Sequence, residues 1–239
     1  MDKETIYNPY SVDGQRVAAA FPILMRKTYL WMMLGLVMTA LTAGYVASNL
    51  ELMAAIFSNK LAFWGLIIAE LGLVFFLSAR IMRMSFAAAG LLFAAYAILN
   101  GVTLSCIFMI YSVDVIVTTF AVSAATFGAM SLLGFVVKRD LSPIGRFGMM
   151  AVVGLIIASV VNMFVASSAL YWGITYLGVL IFAGLTAYDT QKLKMLFLQH
   201  GNEVNDSTQK LALLGSLTLY LDFVNLFLYL LRIFGGNRN

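Results

Sequence analysis

Residues 217–231 read LTLYLDFVNLFLYLL, and this stretch decides the fold. A run so rich in Leu, Phe and Val suits a helix among lipid tails or packed neighbours, and its one carboxylate, Asp222, is costly there. Thr218, Asp222, Asn225, Tyr229 and Arg232 follow one another at spacings of 4, 3, 4 and 3, so all five share one face of an α-helix. Such a stripe in an apolar helix can be a hydrogen-bonded seam that only holds a bundle together. An ionisable group within the stripe favours a functional reading, because charges in membrane spans usually face a partner, a polar interior or an ion path.

The run before it, GVLIFAGLTAYDTQ (178–191), also carries a carboxylate, Asp189, with Thr186 three residues earlier on the same face. Two acids near the ends of consecutive spans point to a site for protons or cations. If they meet in a poorly hydrated place, they cannot both ionise cheaply, and the pair would titrate as a unit. A shared proton would bridge two helices, and its loss would leave like charges in contact. Asp189 falls near the end of its run, whereas Asp222 lies some three turns into the next. The two meet only if the last helix starts below the bilayer or the sixth is embedded more deeply.

Working outward, the whole chain has the same character. Hydrophobic residues make up 62% of its 239 positions and charged residues 11%, with a mean hydropathy of +0.93; soluble domains carry about 25% charged residues. Seven apolar runs, at 29–49, 61–79, 86–110, 115–137, 147–167, 171–191 and 211–231, predict an all-α polytopic membrane bundle of seven transmembrane helices. Residues 193–199, LKMLFLQ, could prolong the sixth helix. Pro9, Pro22 and Pro143 fall outside all seven runs, so no proline kink is expected. Residues 1–28 form a polar N-terminal tail, 29–234 the membrane domain and 235–239 a short C-terminal tail.

With the N-terminus in the cytoplasm, only Lys60, Arg232 and Arg238 lie outside, and the other twelve of the fifteen basic residues lie inside. That bias predicts a cytoplasmic N-terminus, and helical rather than barrel spans predict an inner or plasma membrane over an outer one. The net charge of +4 is spread between apolar runs, so no nucleic-acid partner is expected. Cys106 and His200 are the only residues of their kinds. No zinc, haem or other tightly bound cofactor is expected from so sparse a ligand set.

Glu70, within GLIIAELGLVFF (65–76), is a third acid in an apolar run, and Asn100 and Thr103 in YAILNGVTLS (96–105) add neutral oxygens. Hard cations such as calcium prefer carboxylate, amide and carbonyl oxygen. Glu70, Asn100, Thr103, Thr186, Thr218, Asn225 and Tyr229 are therefore candidates to line an ion path, with weak, transient calcium binding at Asp189 and Asp222. Asp114 and Asp140 are expected in solvated loops. Arg80 and Arg83 serve as topology anchors, or one of them reaches inward to Asp189.

AYDTQ (187–191) and LTLYLDFVNLFLYLLRIFG (217–235), supported by LNGVTLS (99–105) and KRDLS (138–142), resemble the Bax inhibitor-1 family, the transmembrane BAX inhibitor motif proteins, and look most like a bacterial member. The resemblance implies a seven-helix fold with a central last helix. It further implies a pH-sensitive calcium leak across the membrane, with calcium as a permeant ion, gated by an aspartate pair that matches Asp189 and Asp222. The family's latching arginine matches Arg80 or Arg83, and its buried acid in the second span matches Glu70. Some members are instead associated with membrane proteases or cell-death proteins. A regulatory protein that modulates a membrane protease, docking through the N-terminal tail, is thus the second expectation. An intramembrane aspartyl protease would also carry two aspartates on adjacent helices, but no glycine flanks the second aspartate in YLDFVN to admit a peptide backbone, and no enzymatic activity is expected.

Overall fold

A computed structural model describes residues 12–201 and 203–236. Among them the chain forms nine α-helices, a 3₁₀ turn and no strand: α1 (Val12–Ser48), α2 (Leu50–Phe57), α3 (Lys60–Arg80), the 3₁₀ turn Ile81–Arg83, α4 (Phe86–Leu104), α5 (Ile107–Ile110), α6 (Val113–Val136), α7 (Ser142–Val165), α8 (Ser168–His200) and α9 (Asp206–Gly236). Seven helical stretches are long and apolar enough to cross a membrane. The chain is a polytopic helical membrane protein, as the apolar runs predict. The N-terminal part of the polar tail, with Pro9, and Arg238 near the C-terminus lie outside the described residues.

Local chemistry sets the helix ends. Asn49 caps α2 by accepting the Glu51 and Leu52 N–H groups, both at 3.1 Å, and Asn59 caps α3 by accepting those of Leu61 and Ala62. At the start of α9, the Asn205 N–H donates to Thr208 Oγ1 and the Thr208 N–H to Asn205 Oδ1, a reciprocal cap. Between α7 and α8, Ala166 takes a left-handed φ of 50° and the Ser167 N–H donates to Asn162 Oδ1, closing a tight hairpin.

Four boundaries depart from the apolar runs. The first helix begins at Val12 and carries Pro22 inside it, so one proline does lie in a spanning helix; its ring removes a single backbone donor on an exposed face. Pro143 stands in the first turn of α7, where the missing N–H has no helical acceptor to lose. Asp114 belongs to the first turn of α6 rather than to a loop, where its charge suits the helix dipole. At the other end, α8 continues through LKMLFLQ to His200.

The chain divides into two compact units, one comprising Met1–Ile110 with Met195–Tyr220, the other Tyr111–Lys194 with Leu221–Asn239. In the first, α1 packs on α4. A Cβ on Gly101 would overlap the Thr39 backbone, so glycine is what permits the approach. Thr39 donates to the Ala97 carbonyl or shares its hydroxyl with Tyr220 Oη at 2.7 Å. Tyr220 is fully buried, edge-on to both Phe93 and Tyr96. Lys210, itself buried, pairs with Asp206 at 2.8 Å and donates to the Met84 carbonyl, tying α9 to the segment after the 3₁₀ turn.

In the second unit α6 meets α8 at Gly134, where a Cβ would overlap the Ala187 carbonyl. Phe223 on α9 stacks edge-on against Phe120 and Phe127 of α6. Burial is greatest in the last helix. Its most apolar stretch is 67% buried, against 33% or less in every other span, as a helix enclosed by others requires.

Candidate functional site

Asp189 on α8 and Asp222 on α9 lie in the second unit, with relative exposures of 8% and 5%. Their carboxyl groups approach to within hydrogen-bonding reach of one another. A hydrogen bond between two carboxyls needs a proton on one of them, since an ionised carboxylate only accepts. Asp222 Oδ2 is fully buried and meets no protein donor, so nothing else offsets its desolvation. α9 starts at Asp206, ahead of the apolar run, and α8 extends beyond Asp189, the lengthening of both helices that such a meeting calls for.

The flanking residues hold this pair rigidly. Thr190, fully buried, shares a hydroxyl hydrogen bond of 3.1 Å with Ser131 of α6. Gln191 accepts the Leu141 N–H at 2.8 Å and donates to the Val137 and Arg139 carbonyls. It thereby joins the AYDTQ segment to the KRDLS turn. Tyr188 lies over Gly145 at the start of α7. Thr186 donates to the Phe182 carbonyl of its own helix, Asn225 to that of Leu221 and, in the first unit, Thr218 to that of Leu214. Thr186 and Thr218 thereby spend their one hydroxyl hydrogen locally, and Asn225 one of its two amide hydrogens. Tyr229 stacks on Phe182, with ring centroids 5.8 Å apart.

The basic residue whose charge reaches Asp189 is Lys192, one turn along the same helix, with its ammonium 5.8 Å from the Tyr188 ring centroid. Arg80 ends α3 and Arg83 ends the 3₁₀ turn; both are exposed. Among the described residues the ion pairs are Arg16–Glu203 and Lys210–Asp206, so neither arginine has a carboxylate partner. Within the second unit, Lys192 is the cation whose charge acts on Asp189. Sequence reading passed over Lys192, Ser131 and Gln191. Proximity in AYDTQKLK was the available signal for Lys192, and the paired KRDLS and AYDTQ motifs for Gln191.

In the first unit, Thr103 Oγ1 donates to Glu70 Oε2 at 3.0 Å, and the Asn100 side chain approaches both Glu70 and Tyr96. Glu70 Oε1 and Asn100 Oδ1 are buried without a hydrogen-bond donor. The three residues singled out here do come together, and their orphaned oxygens are acceptors suited to a proton, a water or a hard cation. Among the described residues no three His, Cys, Asp or Glu side chains gather as a metal site.

The chain matches the family described as Inhibitor of apoptosis-promoting Bax1 over residues 22–239. It is 48% identical to the inner membrane protein YbhL of Escherichia coli K12, over 92% of this chain and 94% of YbhL. A protein from Deinococcus radiodurans is likewise 48% identical over 90% of both chains. One from Borreliella burgdorferi is 44% identical over 90% of this chain and 92% of its own.

Proposed function

Since the chain belongs to the Bax inhibitor-1 family, we propose that it is a proton-regulated cation leak of the bacterial inner membrane, with calcium the favoured ion and the N-terminus in the cytoplasm. The observation that carries this reading is the close approach of the Asp189 and Asp222 carboxyl groups, both buried, with no protein donor at Asp222 Oδ2. With one proton between them, the two acids join α8 to α9. When that proton leaves, two like charges face each other in a site that hydrates them poorly, and the helices separate or a cation enters. Calcium suits the second outcome because carboxylate oxygens are its preferred ligands. Two carboxylates make a sparse calcium site, so the binding proposed is weak and transient. The naming of YbhL as an inner membrane protein supports the location, and the basic-residue bias supports the orientation.

The experiment is calcium flux into liposomes carrying the full chain, measured across pH. Flux is expected to rise as pH rises through the titration of the pair. Asp189→Asn and Asp222→Asn, which cannot build up like charge, are expected to flatten that response. Flux that keeps its pH dependence in both variants would sink the proposal.

A further inference from the structure

The second unit contains a concavity that the proposed leak leaves unused. Between α7 and α8 runs an apolar groove of about 570 Å³, lined by Gly148, Ala151, Gly154, Ala158, Gly173 and Gly184 among larger aliphatic side chains. From Ile144 to Ala158 it follows roughly 21 Å of helix, at 1.5 Å per residue. At its hairpin end it meets a second pocket of about 320 Å³, lined by Ser159, Asn162, Tyr171 and Arg232, with Ile174 in the wall of both. The volumes fall in the range of small-molecule sites.

The two parts differ in chemistry. The groove presents almost entirely apolar surface. The pocket presents the Arg232 guanidinium, held 5.2 Å from the Tyr229 ring centroid and 5.7 Å from that of Tyr171. Among the described residues Arg232 has no carboxylate partner. Asn162 Oδ1 is occupied by the Ser167 N–H, so the amide offers its NH₂ to the pocket. Ser159 gives its hydroxyl hydrogen to the Leu155 carbonyl. What remains is a cationic fork beside an amide donor, suited to a phosphate. Gly154 and Gly173 have no atom within 4 Å of where a side chain would begin, so packing between helices does not require either glycine. They keep the groove open.

The geometry points to a phospholipid site: an anionic headgroup phosphate on Arg232 and Asn162, with one acyl chain lying along the α7–α8 groove. An acyl chain is the apolar ligand of which a bilayer has an unlimited supply, and charge complementarity at Arg232 selects an anionic lipid among those present. The rings beneath the guanidinium fix its direction and leave its far edge to the ligand.

Native mass spectrometry of the full chain, titrated with phosphatidylglycerol or with phosphatidylcholine of the same acyl chains, separates the two parts. One phosphatidylglycerol per chain is expected to bind about tenfold more tightly than phosphatidylcholine, whose choline cation offsets the phosphate charge presented to Arg232. Arg232→Gln should remove this preference and Arg232→Lys retain part of it. Gly154→Leu, entering open space, should weaken both lipids together while leaving the thermal unfolding temperature unlowered. The proposal is overturned if the wild-type chain shows no headgroup preference. It is overturned too if Gly154→Leu leaves lipid binding intact, or if that variant instead dissolves a dimer, which would make a second copy the occupant.

Discussion

At the scale of single residues, buried polar groups are informative in proportion to their cost. Asp189, Asp222 and Glu70 were legible in the sequence because a carboxylate in an apolar run needs a reason. Their partners were legible only where helical spacing supplied them: Asn100 and Thr103 stand three apart and both face Glu70. Partners fixed by the approach of separate helices were not legible, which is why Ser131 and Gln191 went unread. Thr103 is the one hydroxyl donor to Glu70 Oε2, while Oε1 already lacks a donor. Thr103→Val should therefore cost about 1–3 kcal/mol of unfolding free energy, the penalty for an orphaned buried acceptor. The double variant Thr103→Val with Glu70→Leu should recover most of it, since removing both partners removes the unsatisfied group. Unfolding in mixed micelles measures both, and a purely additive pair of losses would contradict the assignment. Tyr220→Phe, which deletes the hydroxyl bonded to Thr39, should cost about 0.6 kcal/mol and no more than about 1.7, the range for interhelical hydrogen bonds in membranes.

At the scale of elements, one helix provides its own control. Gly134 and Gly128 both lie on α6, but a Cβ at Gly134 would run into the Ala187 carbonyl whereas nothing lies within 4 Å at Gly128. Gly128→Ala should stabilise the protein by up to about 1 kcal/mol through helix propensity alone. Gly134→Ala should destabilise it, because the backbone of α8 cannot yield as a flexible side chain can. The same denaturation assay orders the two, and equal effects would remove the case for close α6–α8 contact. The seven spans were readable from hydropathy, but their ends were not. Hydropathy marks where lipid is favourable, while helices end where caps and backbone hydrogen bonds dictate. Thus α1 runs back through the basic Arg26–Lys27 pair to Val12, and α8 runs on through two lysines to His200. The eight-residue α2 was missed because LELMAAIF is too short for a span and its start is fixed by the Asn49 cap rather than by periodicity.

At the scale of the whole molecule, the direction of insertion decides which side of the membrane the aspartate pair lies toward. With the N-terminus in the cytoplasm, seven crossings put Asp189 toward the cytoplasmic end of α8, so the pair would respond to cytoplasmic rather than external pH. The charge bias of twelve basic residues to three is the basis for that orientation. It also requires α9 to cross completely. At 31 residues the helix is about 46 Å long, against roughly 30 Å of hydrocarbon, so it has ample length to do so. Arg232, on the outer side in this arrangement, stands near the end of α9, where snorkelling to the interface is cheap. Alkaline phosphatase fused after residue 239 should accordingly be active in cells, and a fluorescent protein that folds only in the cytoplasm should be dark there. Fusions truncated after Lys138, between α6 and α7, should give the reverse pattern. A bright C-terminal fluorescent fusion would show that α9 re-enters rather than crosses, and the headgroup pocket at Arg232 would then face the cytoplasmic leaflet.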